Sequence, residues 1–119
     1  MGTANLKGRS ILVVEDQPLI ALNIIEGFRN AGASVLSARN LRDGLRLAAL
    51  PDLSAAVLDF GLTDGDGTAL CTRLTERGVP FVLHTGYAHV DAACHTGVLI
   101  PKPATPEDLV SAISGLLAC

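Results

Sequence analysis

Short, almost wholly apolar runs alternate along this chain with longer segments whose apolar residues recur at a helical period. The run at 11–14 (ILVV) is typical, and the next segment places Ile20, Ile24 and Phe28 on one helical face. Runs this short suit strands buried on both faces, and none approaches the roughly 18 residues that a membrane helix needs. Because strands separated by helices pair in parallel through right-handed crossovers, the alternation predicts an α/β domain with a doubly wound parallel sheet.

The same pattern divides the whole chain into five strands and four clear helices. We predict strands at residues 10–15, 33–37, 55–59, 80–85 and 97–100, and helices at 19–28, 41–49, 68–77 and from 106 onward. Gly32 is placed to end the first helix, and Thr105, Pro106 and two acids are typical of the start of the last. Residues 61–67 contain three glycines and are predicted to form a loop.

Size and charge limit what such a domain can do. A chain of 119 residues suits one domain, so we expect a single domain over residues 1–119 with no separate output domain. The net charge of −3 argues against nucleic acid or an anionic membrane surface as the main partner. No apolar leader is visible at the start of the sequence, and we therefore expect a cytoplasmic protein.

The cysteines and histidines match no known ligand pattern. Cys71, Cys94 and Cys119 are odd in number and far apart in sequence, so we expect reduced thiols rather than a disulfide or a zinc site. The three histidines lie between positions 84 and 95, in a predicted loop, and their spacing does not favour a metal site or a Cys–His catalytic pair.

Polar residues collect where the predicted strands end. Glu15 and Asp16 follow the first strand, Asp59 ends the third, Thr85 ends the fourth, and Lys102 follows the fifth. In a parallel α/β sheet, ligands bind outside the carboxyl ends of the strands. Each residue alone has an ordinary structural explanation, such as capping a helix or facing water. Three crowded carboxylates, however, repel one another unless a cation lies between them, and an all-oxygen site favours Mg²⁺.

This arrangement suggests phosphoryl transfer. The Asp59 carboxylate can attack phosphorus if Mg²⁺ and an ammonium group neutralise the phosphoryl oxygens. Thr85 is placed to donate a hydrogen bond to one of those oxygens, and Lys102 is placed to pair with another. The small Gly86 leaves room beside them.

Four short motifs occur in an order and at spacings that are specific in combination: residues 11–16 (ILVVED), residues 57–59 (VLD) followed by Asp66-Gly67, Thr85-Gly86, and Pro101-Lys102-Pro103. On these motifs the chain resembles the receiver domain of two-component response regulators over essentially its whole length. The resemblance implies a flavodoxin-like, five-stranded parallel sheet.

The resemblance also implies a role for each site residue. Asp59 corresponds to the phosphoacceptor, Thr85 to the switch hydroxyl and Lys102 to the phosphate partner. The implied Mg²⁺ ligands are Asp59, Asp16 directly, Glu15 largely through water, and the backbone carbonyl of Gly61. The Lys102–Pro103 bond is a candidate for the cis form that is common in the family.

The chain departs from the usual receiver pattern before its fifth strand. Only 16 residues separate Thr85 from Lys102, and residues 88–96 show no convincing apolar period. We therefore predict that the helix usual at this point, the fourth of five, is missing, very short or irregular. Leu99 stands where receivers usually have an aromatic switch residue. These departures resemble the FAT GUY subgroup of single-domain receivers, with Leu83-His84 as a mismatch. Tyr87 is then a candidate for transmitting the signal or for gating the access of water to the acyl phosphate. The alternative is that it only covers the apolar edge where the fourth helix would lie.

The resemblance implies partners as well as chemistry. We expect a sensor histidine kinase or a phosphotransfer protein as the phosphoryl donor, and a downstream protein, or a role as a phosphate sink. The chain is expected to catalyse only its own phosphorylation and dephosphorylation. Two alternatives stay open: a pseudo-receiver that docks without phosphorylation, and a small Mg²⁺-dependent phosphatase of the haloacid dehalogenase type. The second is disfavoured because Gly61 stands where that superfamily has a second acid.

Overall fold

The computed structural model describes residues 5–59, 61–62, 65–86, 94 and 96–118. The strands are β1 (Ser10–Val14), β2 (Ser34–Ala38), β3 (Ala55–Leu58), β4 (Gly61–Leu62), β5 (Gly65–Asp66), β6 (Phe81–Thr85) and β7 (Val98–Pro101). The helices are α1 (Pro18–Asn30), α2 (Leu41–Ala48), α3 (Thr68–Glu76) and α4 (Pro106–Leu117). Apart from the β4–β5 pair, these bounds lie within two residues of the predicted ones.

Five strands form one parallel sheet in the order β2-β1-β3-β6-β7. When the five strands of this sheet are numbered along the chain, their order is 2-1-3-4-5, as in flavodoxin-like folds. The strand order reverses direction between β1 and β3. The prediction of a doubly wound five-stranded sheet is confirmed. The carboxyl ends of β1, β3, β6 and β7 consequently lie at one edge.

Alternation along the strands divides the core between the two faces of the sheet. Leu12 and Val14 belong to the cluster that includes residues of α2 and α3, whereas Ile11 and Val13 belong to the cluster that includes residues of α1 and α4. Both faces are apolar because both are covered, which is why the strands are continuous apolar runs in the sequence.

The predicted helix ends are also present. The Thr105 side chain accepts a hydrogen bond from the Asp108 N–H, and the Asp108 side chain accepts one from the Thr105 N–H, which completes a capping box with Pro106 in the first turn. Gly32 has a φ of +97°, which the chain needs just after α1.

Two sequence predictions need correction. Residues 61–62 and 65–66 are not simply a loop, because β4 and β5 pair as a short antiparallel ladder. Cys71 and Cys94 form a disulfide, against the expectation of reduced thiols. Their sequence separation of 23 residues hid this pairing, since only the fold brings α3 beside the connection between β6 and β7.

The predicted loss of the helix between Thr85 and Lys102 falls on residues 88–96, most of which lie outside the described residues, and it stays a prediction. Within the described part of the chain, no helix is long and apolar enough to cross a membrane.

Candidate functional site: an acidic cluster with a lysine at the sheet edge

The strand ends bring the predicted polar residues together through backbone pairing. The Glu15 N–H donates to the carbonyl of Ala38 (3.0 Å), and the Asp59 N–H donates to the carbonyl of Val14 (2.9 Å). These bonds extend the sheet pairing one residue beyond β1 and β3. They therefore hold Glu15 and Asp59 on adjacent strands at the same edge.

Three carboxylates meet at this edge. One carboxylate oxygen each from Glu15, Asp16 and Asp59 lies within 4.8 Å of the others. Glu15 and Asp59 are nearly inaccessible, at 2% and 6% exposure, while Asp16 is partly exposed. Oxygen ligands of an octahedral Mg²⁺ stand about 3 Å apart when adjacent and about 4 Å apart when opposite, so these oxygens would move closer together around a bound divalent cation.

Lys102 joins two of the three carboxylates. Its Nζ lies 3.5 Å from Glu15 Oε1 and 3.3 Å from Asp59 Oδ2, and its side chain is 24% exposed. The ammonium group thus partly offsets the negative charge of the cluster while keeping contact with solvent. A cation at this position can also pair with an anionic group held by Asp59.

Burial and crowding change the protonation of Glu15. Desolvation is the main cause that raises its pKa, to about 7, and the charge of the nearby Asp59 adds to the rise. The Gln17 N–H, which donates to Glu15 Oε2 at 3.1 Å, and Lys102 act in the opposite direction. Near neutral pH, Glu15 is therefore partly protonated, which reduces the negative charge that Lys102 or a bound cation must balance.

Comparison with known proteins assigns this arrangement to a family. The family described as the response regulator receiver domain matches residues 11–114. The chain belongs to this family. Family membership favours the receiver interpretation over the dehalogenase-type phosphatase that the sequence left open.

Two comparisons extend the match to individual proteins. The receiver domain is 32% identical over 113 residues to the sensor protein TorS of Escherichia coli (strain K12). That alignment covers 87% of the chain and only 12% of TorS. A crystal structure of a CheY-like response regulator receiver domain protein from Methanospirillum hungatei JF-1 is 27% identical, with a TM-score of 0.83, and the match covers 92% of this chain and 94% of that one.

A second solved structure shares the fold. It is a response regulator protein from Burkholderia pseudomallei with a phosphorylated aspartic acid, a calcium ion and citrate. The identity is 24%, the TM-score is 0.75, and the match covers 92% of this chain and 71% of that one.

Thr85 and Lys102 are neighbours across the last strand pair of the receiver domain. Thr85 is fully buried at the end of β6, and its carbonyl accepts a hydrogen bond from the Lys102 N–H at 2.9 Å. The Lys102–Pro103 peptide is cis, as the resemblance to receiver domains implies. Gly86 follows Thr85 and is exposed, and none of the described residues places an atom within 4 Å of where its Cβ would be.

The remaining predicted site residues have different outcomes. Gly61 lies at the start of β4, two residues after Asp59, and pairs with Asp66. Its role as a carbonyl ligand stays a prediction. Tyr87 lies outside the described residues. Leu99, at the position of the usual aromatic switch, is 43% exposed on β7.

One residue near the site was misplaced by sequence reasoning. His84 lies inside β6 rather than in a loop, it is buried, and neither ring nitrogen has a hydrogen-bond partner within the part of the chain that the structure describes. Burial lowers its pKa, and the charge of Lys102 lowers it further. Its position directly before Thr85, inside the predicted strand 80–85, was the available signal.

Proposed function

We propose that this receiver domain accepts a phosphoryl group on Asp59 and signals through a phosphorylation-dependent protein contact, or acts as a phosphate sink. The observation that carries the proposal is the placement of Lys102 Nζ 3.3 Å from the buried Asp59 carboxylate, inside a cluster of three acids. The donor is a histidine kinase or a phosphotransfer protein. The family, and the similarity to part of a sensor protein, support a donor of this kind.

The chemistry follows from the residues at the sheet edge. A carboxylate oxygen of Asp59 attacks phosphorus, the bond between phosphorus and the donor's histidine nitrogen breaks, and an acyl phosphate forms. Lys102 is already beside Asp59 and pairs with a phosphoryl oxygen as charge develops there. Thr85, at the end of β6, donates a hydrogen bond to another phosphoryl oxygen. Water later attacks phosphorus, which restores the carboxylate and releases phosphate.

The acidic cluster fits a divalent cation. Glu15, Asp16 and Asp59 bring together the hard carboxylate oxygens that Mg²⁺ prefers. Asp16 and Asp59 would bind the ion directly and Glu15 largely through water, and the carbonyl of Gly61 would complete the protein ligands. When bound there, Mg²⁺ neutralises phosphoryl oxygens and lowers the repulsion among the acids. Burial, and to a smaller extent the charge of Asp59, raises the pKa of Glu15, so a bound cation would relieve an unfavourable charge at this edge. The Burkholderia protein, with its phosphorylated aspartate and calcium ion, is a precedent for this combination in the same fold.

The chain acts on no substrate other than its own phosphoryl group, and it works in the cytoplasm, where the donor domains of kinases lie. It belongs to the FAT GUY subgroup, which the Thr85-Gly86-Tyr87 sequence and Leu99 support. Tyr87 replaces the usual aromatic switch in transmitting the phosphorylated state.

Intact mass measurement tests the central claim. The protein is incubated with acetyl phosphate, with and without Mg²⁺, beside Asp59→Asn and, as a matched control, Asp52→Asn, which changes an exposed turn residue. We expect a Mg²⁺-dependent gain of one labile phosphoryl group in the wild type and in Asp52→Asn, and none in Asp59→Asn. No gain in the wild type, under conditions that modify another receiver, would support the unphosphorylated docking module instead.

A further inference from the structure

Two connections join α3 to the chain just before β7. Cys71 and Cys94 form a disulfide, and one helical turn later the hydroxyl groups of Thr75 and Thr96 lie 2.8 Å apart. Cys71 and Thr75 are four residues apart on α3 and therefore share one face of the helix. This face contacts Cys94 and Thr96, which are two residues apart in the chain before β7. We call these four residues, together with Gly97, the α3 clip.

Gly97 packs against the sheet at Phe81 of β6. Its N–H donates to the carbonyl of Cys94 at 3.0 Å, and a Cβ at this position would overlap the ring of Phe81. The chain therefore turns directly over Phe81 before it enters β7. The entry point of β7 is held by the disulfide, one exposed hydrogen bond and this close approach.

The clip lies on the path to the phosphorylation site. Cys94 comes eight residues before Lys102, and β7 leads from Gly97 to Lys102. Within the described sheet, β7 is an edge strand that pairs only with β6. An edge strand with one neighbour depends on its attachment points for its order, so the covalent bond four residues before β7 restrains the strand that positions Lys102.

The fold accommodates Cys71 and Cys94 with or without the bond between them. Both are buried in the apolar cluster that contains Leu70, Leu74 and Leu83. Reduced cysteine is tolerated in such surroundings as a small hydrophobic residue, so the fold does not require the bond. In the reducing compartment assigned under the proposed function, on which this inference rests, protein disulfides are usually transient or redox-sensing.

We propose that Cys71 and Cys94 form a reversible redox site that controls the order of β7 and, through it, the placement of Lys102. In the oxidation step, the Cys71 and Cys94 thiols lose two protons and two electrons to a glutathione-type disulfide. Because both sulfurs are buried, exchange requires a local opening of the chain that admits the small disulfide. One thiolate then attacks that disulfide and releases one reduced thiol, and the other cysteine displaces the second. Reduction by a small thiol reverses both exchanges.

Alkylation and mass measurement test the chemistry. The protein is equilibrated in glutathione buffers of stepped ratio, quenched with acid, and alkylated after denaturation so that buried free thiols also react. We expect two thiols of the wild type and of Cys119→Ser to become protected together as the buffer turns oxidising. Cys71→Ser and Cys94→Ser must each lack this cooperative step. Thiols that stay free in every buffer would overturn the proposal.

Hydrogen exchange and thermal unfolding test the structural consequence, and neither needs phosphorylation. On reduction of the wild type, exchange in peptides that cover residues 96–101 should rise at least severalfold, with little change in α1. Closing a loop of this length predicts a melting temperature roughly 10 °C higher in the oxidised form. Equal exchange at 96–101 in both redox states would contradict the proposal, even if the bond forms.

The phosphorylation rate tests the link to Lys102. With acetyl phosphate and Mg²⁺, the reduced protein should be modified about threefold more slowly or worse, because Lys102 is less well placed. Equal rates in the two states would overturn the coupling. If neither state is modified at all, the proposed function fails, and the alkylation and exchange results still decide the redox site.

Discussion

Lys102 Nζ lies 3.3 Å from a carboxylate oxygen of Asp59, and this short separation places the only described cation of the cluster directly beside the proposed phosphoacceptor. The same nitrogen lies 3.5 Å from Glu15. One ammonium group thus partly neutralises two nearly buried acids, and its removal should affect both catalysis and the free energy of unfolding.

Replacing Lys102 by methionine keeps the length of the side chain and removes its charge. We expect phosphorylation by acetyl phosphate to slow by at least about tenfold, since one charge-assisted contact to the phosphoryl group is lost. Without Mg²⁺, the free energy of unfolding should fall by about 1–3 kcal/mol, because two buried acids lose a partner. Urea denaturation and intact mass provide the two measurements. Lys7→Met, at an exposed turn, is the control, and equal effects of the two variants would contradict the assigned role of Lys102.

The stability of the metal-free protein should depend on the protonation of Glu15. Its pKa is raised from 4.5 to about 7 in the folded state, so the folded protein binds more protons than the unfolded chain between these values. The free energy of unfolding therefore falls as pH rises from about 4.5 to about 7, by up to about 3 kcal/mol. Glu15→Gln should flatten this slope, whereas Glu26→Gln, exposed on α1, should retain it. A slope that persists in Glu15→Gln would assign the effect to another group.

Mg²⁺ should bind at the acidic cluster and stabilise the fold. Because the cation binds the folded state, its addition should raise the melting temperature and suppress the pH slope of Glu15. Asp16→Asn removes one carboxylate and should weaken Mg²⁺ affinity by about tenfold or more, as measured by calorimetry. Asp52→Asn should bind Mg²⁺ like the wild type. Unchanged affinity in Asp16→Asn would place the cation elsewhere.

Gly97 should tolerate no side chain. A Cβ there would overlap the Phe81 ring, so Gly97→Ala should lower the free energy of unfolding by about 1–3 kcal/mol. Gly115 in α4 is a suitable control, because none of the described atoms lies within 4 Å of the point that its Cβ would occupy, and alanine favours helices. Denaturant titration should show loss of stability in Gly97→Ala and none in Gly115→Ala. A stable Gly97→Ala would mean that the chain can move away from Phe81.

The fold was largely predictable because it depends on local patterns. The apolar runs, their helical partners and the caps at Gly32 and Thr105 each depend on residues close in sequence, and the structure contains each of them. The carboxyl ends of parallel strands lie at one edge of a sheet whatever the details of packing. For this reason the sequence also predicted that four residues at strand ends would meet, and the structure brings together Glu15, Asp16, Asp59 and Lys102.

Features that depend on contacts between distant segments were not predictable in this way. The cysteines looked unpaired because their separation of 23 residues carries no information about the turn that brings them together. The pKa of Glu15 likewise depends on burial that no local pattern reveals.

The sequence alone therefore determined the order of strands and helices, the sheet edge that carries the chemistry, and the residue types available there. The tertiary structure decided how deeply Glu15 and Asp59 are buried, which two acids Lys102 joins, and that Cys71 faces Cys94. The physical reason is range: propensity and periodicity act over one or two turns, whereas desolvation, ion pairing and disulfide formation require side chains brought together by the whole fold.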